Sequence, residues 1–141
     1  MSSAGRQRTS GTRAARPEEF APLEISQEAL SDGLLLFGVR GELEATHADR
    51  LEDAVLGAMD GDARKVVVDL ERCSFIDSTG LGVLLRIARR LRAGDGNTGL
   101  AVVEGQLQVR RIFEITNLDG TLSVFPTRGE AIASLRPPRA A

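Results

Sequence analysis

The 141 residues contain no tryptophan, no tyrosine and only five phenylalanines. A platform that stacks nucleic-acid bases needs aromatic faces, so the composition argues against that class. The formal net charge of −2 provides no general attraction to DNA or RNA, and no nucleic-acid partner is expected. The single cysteine, Cys73, can form neither an internal disulfide nor a cysteine metal cluster. Its apolar neighbours give it the default role of a small buried hydrophobe. No stretch approaches the roughly 20 apolar residues that span a bilayer, so no membrane association is expected. Arg6, Arg8, Arg13 and Arg16 are followed by no apolar run, which excludes a secretory signal. A cytoplasmic chain of one domain is the expectation, long enough to bury a core without disulfides.

What is present alternates. Residues 1–19 are Ser, Gly, Thr, Ala and Arg with little to bury, and are expected to form a disordered basic tail. Residues 20–136 are expected to form the domain, and 137–141 a frayed C-terminus. Within the domain, Leu34–Val39 reads as a strand closed by Gly41, paired with a first strand near Leu23–Ile25. Thr46 with Asp49 resembles a capping box. Leu51, Ala54, Val55 and Ala58 then share a helix face that Gly61 ends. Val66, Val67, Val68 and Leu70 form a β-branched run without alternation, as in a strand covered on both faces.

Ser78 or Thr79 opens the strongest helix, with Leu81, Leu84, Leu85, Ala88 and Leu91 on one face and Arg86, Arg89 and Arg90 elsewhere on its surface. Gly94–Gly99 breaks it. Leu100–Val103 predicts another strand, and Gln106–Thr116 a helix with Val109, Ile112 and Phe113 inward and Asn117 as a left-handed cap. Leu122–Phe125 and Arg128–Leu135 predict a last strand and a last helix. The order β-β-α-β-α-β-α-β-α implies an α/β domain with about five strands and four helices. Its sheet is mixed but mostly parallel, with one antiparallel hairpin at the start.

The segment Val66–Leu85, VVVDLERCSFIDSTGLGVLL, carries the chemistry. A strand ends and Asp77-Ser78-Thr79-Gly80 leads into a helix. Serine is a preferred N-cap because its hydroxyl accepts a first-turn N–H. The unpaired N–H groups and partial positive charge of a helix start also stabilise a phosphate. Gly80 and Gly82 would keep the surface beside the hydroxyl low enough for another protein to approach.

These features resemble the anti-sigma-factor antagonists of the STAS family. The matching elements are the Gly41–Glu44 turn, the Val66–Leu70 strand, the Ile76–Leu85 segment and Val109–Leu118, VRRIFEITNL. The resemblance implies that Ser78 is a phosphorylation site, with Glu44, Asp77, Thr79, Gly80, Leu81 and Gly82 at a partner interface. It further implies a partner-switching cycle. The unphosphorylated antagonist binds an anti-sigma factor with ATP-dependent serine kinase activity and releases the sigma factor. Phosphorylation then breaks the complex and a phosphatase resets it. A monomer is expected. Glu44 stands where the family more commonly has Asp, and Asn117 where it usually has Gly.

An enzyme is not expected. Asp-Ser-Thr-Gly has one residue too many for the aspartic-protease triplet, the Gly-x-Ser-x-Gly elbow is missing, and the only histidine, His47, lies on a different helix. No cofactor or metal is expected. The alternatives are a scaffold with this domain, or a small-ligand-binding module, in a larger signalling or transport assembly. The absence of G-x-x-x-x-G-K-[S/T] weakens a nucleotide version of the latter.

Overall fold

A computed structural model describes residues 23–59, 65–92, 99–116 and 122–136. The tail over 1–19, the helix stop at Gly61, the break over 94–98, the Asn117 cap and the 137–141 terminus lie outside the described residues.

The order of elements is the expected one: β1 Glu24–Ala29, β2 Leu34–Leu43, α1 Ala48–Ala58, β3 Lys65–Ile76, α2 Ser78–Arg92, β4 Gly99–Val103, α3 Leu107–Ile115, β5 Ser123–Phe125 and α4 Arg128–Leu135. The five strands lie in the sheet in chain order. β1 pairs antiparallel with β2, and every later pairing is parallel.

The non-alternating valines have the expected cause. Val66 and Val68 face one core with Phe37, Val39, Leu84, Ile87 and Phe113. Val67 faces the other, with Leu34, Leu36, Ala101, Val103 and Ala131 of α4. Neighbouring residues of a strand point to opposite faces, so a strand covered on both sides must be apolar throughout. Only one charged side chain is buried among the described residues. Asp69 is 3% exposed, and its Oδ2 accepts from Arg128 Nε at 2.9 Å and Nη2 at 2.7 Å. This pair clips α4 to the sheet.

Three strands run further than the sequence suggests, β1 to Ala29, β2 to Leu43 and β3 to Ile76. Gly41 does not close β2; it lies within it at φ +105°, a conformation that favours glycine, beside an irregularity of register with β3. Past that bulge the pairing resumes at Glu42↔Phe75 and Leu43↔Ile76. The polar residues Glu71, Arg72 and Ser74 of β3 hid this extension. Its effect is to end β2 and β3 side by side, so that the loops leaving them meet.

Candidate functional site

The site forms at the carboxyl ends of two adjacent parallel strands, where crossover loops of α/β folds carry function. β3 passes into α2 through one residue, Asp77. Its N–H points to the Leu43 carbonyl at 3.4 Å, and its own carbonyl accepts the Leu81 N–H at 3.0 Å. Its carboxylate accepts the Gly80 N–H at 3.0 Å through Oδ1 and the Ala45 N–H at 3.1 Å through Oδ2. Asp77 is therefore the N-cap of α2, and Ser78 is the first helical residue. Ser78 opens the helix, as the sequence suggests, but the capping that its residue type favours is done by Asp77. An ionised carboxylate is a stronger acceptor than a hydroxyl for a helix N–H, and Asp77 sits one residue earlier.

The consequence for Ser78 is direct. Released from capping, its hydroxyl makes no hydrogen bond among the described residues, and the residue is exposed. Thr79 is half-buried. Glu44, also half-buried, organises the facing turn: its Oε1 accepts the Thr46 N–H at 2.8 Å and its carbonyl accepts from His47 and Ala48. The Thr46–Asp49 capping box does not form. α1 begins after His47, which makes no side-chain cap bond, because Glu44 already holds the Thr46 amide.

The two glycines differ. A Cβ on Gly80 would lie 2.3 Å from the Leu43 carbonyl oxygen and 2.8 Å from Ile76 Cγ1. Gly80 is buried, and its missing side chain serves the packing of α2 on the end of β2, not an approach from outside. Leu81, 7% exposed, belongs to the core. Gly82 is half-buried, and the first atom a Cβ there would meet is Arg86 Nη1 at 3.6 Å. Of the residues assigned to an interface, Glu44, Asp77, Thr79 and Gly82 reach solvent beside Ser78, while Gly80 and Leu81 support them from below.

Two exposed residues near these elements in the chain escaped sequence reasoning. Phe75 is 47% exposed at the end of β3, three residues before Ser78; the signal was a large apolar residue beyond the polar stretch of its strand. Arg86 donates from Nε and Nη2 to Glu52 of α1 at 2.9–3.1 Å, with Asp49 3.8 Å away. The hydrogen bonds to Glu52 raise the guanidinium pKa further, so its charge is permanent. Among the described residues no group of three His, Cys, Asp or Glu could hold a metal, and no helix is long and apolar enough to cross a membrane.

With this geometry established, comparison with known proteins gives the family. A STAS domain model matches residues 27–131. The chain belongs to the STAS domain family. Among its relatives, a protein named as an anti-sigma factor antagonist, BtrV of Bordetella bronchiseptica, is 38% identical over 67% of this chain and 78% of its own length. The anti-sigma-B factor antagonist of Staphylococcus aureus is 31% identical over 61% of this chain and 78% of its own length. The crystal structure of an anti-sigma factor antagonist from Mycobacterium paratuberculosis superposes with a TM-score of 0.74 at 29% identity, covering 82% of this chain and 96% of that one. The resemblance read from the STAS motifs thus holds, and relatives and solved structures named as anti-sigma factor antagonists are among those this chain is similar to.

Proposed function

We propose that this STAS domain works in the cytoplasm as a phosphorylation-controlled antagonist of an anti-sigma factor. In this reading the unphosphorylated chain docks Ser78 and its surroundings on an anti-sigma factor that is also an ATP-dependent serine kinase, which frees the sigma factor. Transfer of a phosphoryl group to the Ser78 hydroxyl breaks the complex, and a phosphatase restores it. The chain acts as the substrate and contributes no catalytic group.

The observation that carries this reading is the division of labour at the start of α2. Asp77 caps the helix, leaving Ser78 exposed, without a structural hydrogen bond among the described residues, and on a rigid element. A serine used as the cap would have to give up or rebuild that bond when modified; Ser78 has no such bond to rebuild among the described residues. Phe75, exposed three residues earlier in the chain, offers an apolar group of the kind on which interface affinity concentrates. The phosphate adds about −1.5 to −2 charges at neutral pH. Buried against a closely packed partner without compensation, that charge costs several kcal/mol.

Binding measurements with a candidate anti-sigma kinase test the reading. Ser78→Ala should bind persistently, and Ser78→Asp should weaken binding by about a hundredfold, or roughly 2.7 kcal/mol. Equal affinity of the two variants would contradict it.

A second reading has one feature in its favour. A groove of about 450 Å³ lies over the sheet between β1 and α4, lined by Ser26, Gly38, Arg40, Asp69, Arg72 and Arg128 among others. It could take a small ligand, as a binding module would. Its arginines stand among Glu24, Asp69 and Glu71, however, so its charge is largely balanced from within and selects no ligand class.

A further inference from the structure

We propose that Arg86 is the in-chain counterion of a phosphate on Ser78, reached across the gap that Gly82 leaves. The inference rests on the reading of Ser78 as the modified residue.

Long side chains on a helix lean toward its N-terminus, over the residue four positions earlier. Arg86 does so: its Nη1 lies 3.6 Å from where the Cβ of Gly82 would stand. Glu52 holds the Nε and Nη2 side of the guanidinium. Nη1 makes no hydrogen bond among the described residues and is turned along the helix toward its start. Ser78 is four residues before Gly82, on the same helix face, with side chains at that spacing about 5–6 Å apart. The terminal oxygens of a phosphoserine lie three bonds beyond the serine Cβ, in that interval. Any side chain at position 82 larger than hydrogen would fill it.

The other charges around the site are mostly negative. Asp77 caps the helix, Glu44 lies in the facing turn with His47 4.0 Å from its carboxylate, and Asp49 and Glu52 line α1. Arg86 is the cation whose guanidinium the structure places over Gly82, on the same helix face as Ser78. It can keep Glu52 on one edge and meet phosphate oxygens on the other, as a guanidinium fork allows. The modified chain would carry its own partial neutralisation and stay folded, while the anionic α1 surface discourages the partner from returning.

The test installs phosphoserine at position 78 during translation, so that no kinase is needed, and follows the second phosphate ionisation by phosphorus NMR at low salt. A nearby cation favours the dianion and lowers this pKa. Arg86→Gln should therefore raise it by roughly 0.2–0.7 pH unit, the range for a partly exposed ion pair. Arg86→Lys should recover part of the shift, Glu52→Gln should lower the pKa, and Arg89→Gln should change it less than Arg86→Gln does. An unchanged pKa in Arg86→Gln, or an equal rise in Arg89→Gln, would overturn the proposal. Failure of a kinase to modify Ser78 would instead count against the functional reading alone.

Discussion

Asp77 accepts the backbone N–H of Ala45 at 3.1 Å across 32 residues of sequence, while its other carboxylate oxygen caps α2. One side chain thus fixes the loop after β2 relative to the helix that presents Ser78. Replacing it with alanine should cost about 0.5–2 kcal/mol for the lost cap. Asp77→Asn should recover the bond to Gly80 but not both bonds together, since one carboxylate oxygen becomes an N–H donor. Urea denaturation of the two variants checks this: the order of stability should be wild type, Asn, Ala.

The glycines of the motif should respond in opposite directions. Gly80→Ala would push a methyl group against the Leu43 carbonyl, and overpacking of this kind destabilises by about 1–3 kcal/mol. Gly82→Ala meets only the far end of Arg86 and gains helix propensity of up to about 1 kcal/mol. Melting temperatures should therefore fall for the first variant and hold or rise for the second.

On the opposite side of the sheet, Arg128→Ala leaves the Asp69 carboxylate, 3% exposed, without its cation. Removing one member of a buried pair is expensive, and with Arg128 half exposed the loss should be roughly 2–3 kcal/mol. A double-mutant cycle with Asp69→Asn should recover a clear coupling energy.

Cys73 is buried, and burial pushes its thiol pKa up. Native protein should resist alkylation at mildly alkaline pH and react on unfolding. The linkage sign follows from the folded state holding the proton more tightly. The contribution of Cys73 to stability is complete below the ordinary thiol pKa, roughly 8.5, and is lost as pH rises from there through the folded value. Thermal melts from neutral to alkaline pH should show a decline that is smaller in Cys73→Ala.

Much of this fold was legible in the sequence because the apolar pattern is strong where it matters. Val66–Val68 announced a strand covered on both faces, and the Leu-rich face of α2 announced its helix. The ends of elements were harder. β3 continues through polar residues because β2 offers it a partner around the Gly41 bulge, a long-range cause that no local window contains. Capping failed in the same way: Asp77 takes the Gly80 N–H that a Ser78 cap would accept, and Glu44 takes the Thr46 N–H that Asp49 would accept in a capping box. The role proposed for Ser78 was already suggested by its motif. Arg86 was not, since its place over Gly82 depends on Glu52 from another helix.

The central claim is that Ser78 takes a phosphate that switches binding while the fold stays intact. The most direct measurement incubates the full chain with ATP and a candidate anti-sigma kinase, locates the modification by mass spectrometry, and compares kinase affinity and melting temperature before and after. The account predicts one phosphate on Ser78, none on Ser78→Ala, affinity reduced by about a hundredfold, and little change in melting temperature. Full modification of Ser78→Ala would move the site to Thr79. A sharp fall in melting temperature on phosphorylation, with binding kept by the intact fraction, would contradict the account.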